Sequence, residues 1–358
     1  MRIGVQNIIS ALTVMLVLMS CCRGVAGQPT QSLASGISIP QKVTPNHVYA
    51  GLELLNRKLD QLLNSAGRTA PAANAVRSRE SGLKPMHVYQ IHLACIEQLR
   101  GYQFKAGLPT MPLAVATPEK YSPAQVFLLT KMLLEAVDRD AIALGAGDLP
   151  GEMTTFQGKT PTDVFQIGVT ALMKILALSG TNDISPNEVF SQTVRARYDA
   201  QAIVTTAAQY EVGDADIRRR LKAKSFGMSS DGRHLEVDTS VKRKPSNAFE
   251  ECLRVRETIN ALRQQLNAPT TPMPSYEVGE KIRPADVYLQ TQLIIAELNL
   301  LKMLTGTTVT TPPAQPVTGK SPNEVFAEAA WARFALNGLL NHLESHPEAA
   351  VLRRVASN

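Results

Sequence analysis

Three side chains with metal-binding chemistry stand within one short stretch: His87, His92 and Cys95. On a helix His92 and Cys95, three apart, share a face, while His87 lies five before His92 and fits that face less well. Imidazole with a soft thiolate suits zinc or copper. The competing reading makes His87 part of a helix cap, as His47 would be, and Cys95 a core residue. Cys95 also has a redox reading, as the partner of Cys252 in a disulfide, against which stand two buried free thiols. No metal, cofactor or catalytic residue is assigned on this basis, and His87, His92 and Cys95 stand as the metal candidates.

A second constellation is ionic. Arg218, Arg219, Arg220, Lys222 and Lys224 are too dense to share one helical face, and residues 211–244 hold nine basic and six acidic side chains. Such a patch attracts anions, so the expected partner is a protein with an acidic face or an anionic envelope polymer or head group. Nucleic acid is disfavoured, because no aromatic residues interleave these five charges and the chain carries an export signal. The acid pairs Glu250-Glu251 and Asp138/Asp140 lie in helical segments and read as solvated faces. The chain has no phosphate-cradling or dinucleotide glycine loop, no Gly-x-Ser-x-Gly elbow and no His-Glu-x-x-His. No enzyme activity is expected.

The elements that would hold these residues announce themselves by repetition. A hexapeptide, Ser/Thr/Lys/Arg then Pro, two variable residues, Val or Ala, then Tyr or Phe, recurs eight times, starting at Thr44, Lys84, Ser122, Thr160, Ser185, Lys244, Arg283 and Ser321. Ser or Thr caps a helix, and proline suits the first helical position, where its missing N–H costs nothing. Ser185 with Glu188 and Ser321 with Glu324 form capping boxes. Apolar residues follow at helical spacing, as in Val48, Leu55, Leu59 and Leu62, so each motif predicts an amphipathic helix of about twenty residues.

Successive motif prolines are 40, 38, 38, 25, 59, 39 and 38 residues apart. The short step separates two sets of four with matching connections, so an all-α tandem duplication is expected: residues 44–183 and residues 184–346, each a bundle of four helices. The step of 59 places a basic insertion at 211–243. The connections are long and rich in Pro and Gly, without a helical period. At about 3.3 Å per extended residue, a dozen residues span a 22-residue helix. Arms of that length allow consecutive helices to point the same way and gather the motif aromatics at one end, with up-and-down packing as the alternative.

Composition sets the class. The chain has 358 residues, 44% hydrophobic and 19% charged, with four cysteines and a formal charge of +6. That is ordinary globular composition, with too few cysteines for a disulfide scaffold. Residues 1–27 read as a signal peptide, with Arg2 ahead of the apolar run Ile8–Met19 and small residues at Val25-Ala26-Gly27. The alternative is lipidation at Cys21, since Leu18-Met19-Ser20-Cys21 has the pattern of a bacterial lipobox, although Met before Ser is unusual. A linker (28–43) and a C-terminal tail (347–358) complete the layout. The expectation is an exported, non-enzymatic binding or scaffold protein of the periplasm or envelope, touching the membrane only through such a lipid anchor. The alternative is a periplasmic small-ligand or metal carrier, or sensor, with a pocket between helices lined by motif aromatics or by His92 and Cys95.

Overall fold

Every motif proline is the first residue of a helix. The computed structural model describes residues 40, 42–71, 79–210, 241–275 and 281–346. Among them are eight helices and no strand: α1 (Pro45–Ser65), α2 (Pro85–Lys105), α3 (Pro123–Leu144), α4 (Pro161–Leu178), α5 (Pro186–Tyr210), α6 (Pro245–Gln265), α7 (Pro284–Leu304) and α8 (Pro322–Ser345). The all-α expectation holds. The leader with Cys21, most of the linker, the five basic residues Arg218 to Lys224 and the C-terminal tail lie outside the described residues.

Each helix start is fastened by its third residue. That side chain accepts the backbone N–H of the cap residue in all eight copies: His47 at 3.1 Å, His87 at 3.0 Å, Gln125 at 2.7 Å, Asp163 at 2.8 Å, Glu188 at 2.9 Å, Asn247 at 2.9 Å, Asp286 at 2.8 Å and Glu324 at 3.0 Å. His47 and His87 do it through Nδ1. Lys84, Lys244 and Arg283 have no acceptor to offer in return. There the third amide turns to the cap's own carbonyl at 3.0 Å instead. The motif's Val or Ala is buried in every copy, at 1–2% exposure. Four motif aromatics (Phe127, Phe165, Phe249 and Tyr288) are equally buried, while Tyr49, Tyr89, Phe190 and Phe326 are only half-buried.

Within each set the four helices run parallel. The four prolines and four following valines of α1 to α4 meet around a hole of only about 10 Å³, and their counterparts in α5 to α8 do the same. Contacts across each bundle join residues at like distances from their prolines, as in His92 with Thr130 and Cys252 with Thr291. Around the first bundle the order is α1, α4, α2, α3; around the second it is α5, α8, α6, α7. The position is the same in both, so helices consecutive in sequence lie across a diagonal in the first and third connections.

Parallel packing gathers four helix N-termini, each equivalent to about half a positive charge, at one end. The third-residue acids Asp163, Glu188, Asp286 and Glu324 offset this, and hydrogen bonds from Thr160 and Ser321 hold the carboxyls of Asp163 and Glu324 below the usual carboxylate range. Variable motif positions then link neighbours. Asn46 accepts the Lys159 N–H at 2.8 Å, and the Thr162 hydroxyl takes the Leu83 N–H at 3.1 Å. Asn187 accepts from Lys320 at 2.8 Å, and Asn323 from Arg243 at 2.7 Å. The same circuit therefore runs α1 to α4 to α2 and α5 to α8 to α6.

Parallel helices need return arms, and polar side chains facing the bundle pin them. Gln103 accepts the Met111 N–H at 2.8 Å, Asn260 accepts the Thr271 N–H at 2.9 Å, and Lys302 donates to the Val309 carbonyl at 3.0 Å. The short step between α4 and α5 is where no return is made. The chain reverses there, and the second bundle runs antiparallel to the first across the α2–α7 contact. Near the start of α2, His87 faces Glu297 in the second half of α7 at 3.6 Å, and Gln90 donates to Gln292 at 2.8 Å. Arg256 locks this seam: it donates to the buried side chains of Glu80 (3.1 Å), Gln290 (2.9 Å) and Glu297 (3.0 Å), and to the carbonyl of the more exposed Pro272 (3.1 Å). Burial alone would raise the Glu297 carboxyl, but Arg256 and His87 outweigh it and hold it down to about 2.

Candidate functional site

The three metal candidates point three ways. His87 caps α2 through Nδ1 and turns Nε2 toward Glu297. His92 donates Nδ1–H to the Val88 carbonyl at 2.8 Å and meets the Thr130 hydroxyl with Nε2 at 2.9 Å. Burial holds its imidazole down to about 4 although the Val88 bond works the other way. Cys95 points at the Gly168 carbonyl, 3.7 Å away, and burial pushes its thiol far up. The structure corrects the metal reading on geometry: a helix face shared in sequence is divided here among α3, α4 and α7. Among the described residues no three His, Cys, Asp or Glu side chains converge on a metal position. Cys95 and Cys252 are both free and buried, so the disulfide reading gives way to the thiol one.

A concavity of ligand size lies elsewhere, on the flank of α5. Phe190, Ser191, Val194, Arg195 and Tyr198 fall on one side of that helix, at the i, i+4 and i+8 spacing that makes a stripe. Facing them is the arm between α7 and α8, from Val309 to Val317, and a groove of about 710 Å³ runs between. That is the size range of small-molecule sites. The arm is held off by fixed points. Lys302 and Thr311 both pair with Asp199 beneath it, and the Ser191 hydroxyl donates to the Gln315 carbonyl at 2.7 Å. Pro312 and Pro313 have no N–H to offer, which leaves the wall apolar. Tyr198 and Val309 are about half exposed at its mouth, and Lys320 covers the far side of Phe190 at 4.5 Å.

One charged group lines the groove. Arg195 is 5% exposed and donates Nη1 to Glu97 of α2 at 2.8 Å, while its Nε has no hydrogen-bond partner among the described residues. Burial raises the Glu97 carboxyl above the usual range, and Arg195 and Gln192 only partly reverse this. Among the described residues no carboxylate, imidazole or thiol lines the groove. They make it an apolar slot with a single cationic floor residue.

The first bundle has the same backbone parts, and there the described side chains occupy the corresponding flank. Positions on α1 correspond to those 141 later on α5 (Pro45 to Pro186), and positions on the arm before α4 to those 161 later (Pro161 to Pro322). Where the second bundle has Val317 and Ala314, the first has Phe156 and Met153. Phe156 packs edge-on to Tyr49 with ring centres 4.8 Å apart, and Met153 and Leu149 pack on the core. Where the second has Tyr198 and Ala202, the first has Arg57 and Gln61, which donate to the Glu152 and Asp148 carbonyls at 2.6 and 2.7 Å. Arg195 replaces Leu54. Of the pocket expected between helices, one motif aromatic, Phe190, is present; the remaining lining residues escaped sequence reasoning. Comparison of the chain with family models, with curated proteins and with solved structures finds no match.

Proposed function

We propose that this chain is an exported, non-enzymatic binding protein that carries a small, largely apolar ligand in the groove between α5 and the Val309–Val317 arm. The observation that carries the reading is the internal contrast: the same scaffold is filled by Phe156, Met153, Arg57 and Gln61 in one bundle and left open in the other. An open apolar slot exposes surface to water at a cost of roughly 25 cal/mol per Å², so filling it would be the stabilising choice for a purely structural bundle. Export rests on the leader pattern of residues 1–27. The basic insertion supports a second, anionic contact with protein or envelope polymer, which fits the same exported role.

The test transplants the first bundle's own side chains. N-phenyl-1-naphthylamine, which brightens in apolar sites, is titrated into the wild type and into Ala314→Met/Val317→Phe. One saturable site per chain is expected in the wild type. In the filled variant affinity drops at least tenfold while the melting temperature holds or rises. Equal binding by the two proteins would remove the groove as a ligand site.

A further inference from the structure

The groove does more than offer apolar surface, because its floor carries a charge that the protein leaves partly unclaimed. A guanidinium has five N–H donors in a rigid fork, and a carboxylate is the planar acceptor that matches it. Glu97 takes Nη1 of Arg195, and no other acceptor in the described protein reaches the side chain: Nε is enclosed without a partner. Every other described lining residue is neutral, so no carboxylate among them repels an anion from the slot. In the first bundle this position is Leu54, fully buried, so the helix scaffold itself has no need of a cation here.

We infer that the ligand is an amphiphile with a single carboxylate, its apolar body lying between Tyr198 and the Pro312-Pro313 wall and its carboxylate received by Arg195. This rests on the groove being the ligand site. The apolar body supplies affinity through burial. The head group supplies orientation, because a charge-assisted hydrogen bond in a half-closed slot is stronger than one in open water. A ligand of the same length ending in a hydroxyl would fill the slot and leave the cation unmatched.

The discriminating pair is decanoate against decanol, each displacing N-phenyl-1-naphthylamine from the full chain. In the wild type decanoate should compete at least tenfold better than decanol. Arg195→Leu should bring that ratio to about one, and Arg195→Lys should keep part of it. Because Arg195→Leu strands the buried Glu97, the double variant Arg195→Leu/Glu97→Gln provides the same measurement without an unpaired carboxylate. A wild-type ratio near one, or no displacement by either compound, overturns the carboxylate inference while the probe's own binding still supports the groove. A ratio that survives in both leucine variants overturns the role of Arg195. Failure of the probe itself to bind the wild type sinks the groove reading instead.

Discussion

The two bundles share one plan and differ in what they bury. In the first, the buried charges are fewer, with Lys58 paired to Asp138, Lys174 to Asp60 and Asp140 to Gln103. Layers are completed by Leu52 and Phe127, and α2 contributes Ile96 where α6 contributes Arg256. In the second, Arg195, Asp199, Arg256, Arg263, Glu297 and Lys302 are all buried, and one flank is open. The shared parts are the caps, the parallel order and the pinned arms, which depend on backbone geometry. The parts that differ are side chains pointing into the seam between bundles or into the groove. A scaffold specified by its helix starts is thus free to vary its flanks, and only the second bundle has used that freedom.

The largest expected effect comes from giving the second bundle the first bundle's residue at the seam. Arg256→Ile removes the guanidinium shared by two buried carboxylates, Glu80 and Glu297, and breaking a buried ion pair from one side costs about 3–5 kcal/mol. Urea unfolding should show that loss, and adding Glu297→Ala should recover part of it. Arg263, two turns further along α6, is the contrast: it is fully buried and none of its three guanidinium nitrogens has a hydrogen-bond partner among the described residues. Burial lowers its affinity for its proton, with Arg256 adding to the effect and Glu297 opposing it. Arg263→Met should therefore be neutral or stabilising. An equal loss at both positions would show that the hydrogen bonds of Arg256 are not what distinguishes them.

How much of this could be read from the chain follows from range. Helix starts are local, so eight Pro-containing motifs placed eight helices, and the capping role of His87 was legible from its likeness to His47. The parallel direction was legible as one of two options, because arm length bounds it without deciding it. Four half-buried aromatics were not foreseen: the motif position fixes the turn of the helix, but the neighbour beyond it decides exposure. The inter-bundle seam was illegible, since Glu80, Arg256 and Glu297 are each an ordinary surface charge until α2 and α7 meet. The groove did leave a signal. Setting the two halves side by side shows Phe156 and Met153 replaced by Val317 and Ala314, a loss of volume on one flank only.

A smaller effect concerns acid. His92 and Cys252 occupy corresponding layers, each beside a threonine of the next helix, Thr130 and Thr291. His92 is held down to about 4 by burial, below the ordinary value of 6.5. The unfolded chain therefore binds this proton more readily than the folded one, and stability falls as pH drops from about 6.5 to about 4. The loss for one fully buried imidazole is on the order of 3 kcal/mol. The thiol of Cys252, pushed up to about 12, stays neutral throughout that window. His92→Cys, which installs the second bundle's residue, should flatten the stability profile between pH 6.5 and 4 when unfolding is followed by circular dichroism. An unchanged slope would assign the acid sensitivity to other groups.

The smallest effect sharpens the contrast from the other side, by opening the closed flank. Arg57→Tyr/Met153→Ala/Phe156→Val removes three of the four side chains that close the first bundle's flank, leaving Gln61, while the arm keeps its anchor at Asn46 and Lys159. Phe156 and Met153 are half-buried, so the variant loses a partial burial and one edge-on aromatic pair, about 2 kcal/mol together. That is a modest drop in melting temperature for a chain of this size. In exchange, N-phenyl-1-naphthylamine should bind with two sites per chain instead of one. The new site has Leu54 where the natural groove has Arg195, so it should take decanol and decanoate without preference, and the chain as a whole should show a discriminating site beside an indifferent one. Adding Leu54→Arg should then give the new site a preference for decanoate. A stoichiometry that stays at one would mean that side-chain volume alone does not make the groove, and that the Pro312-Pro313 wall is a required part of it.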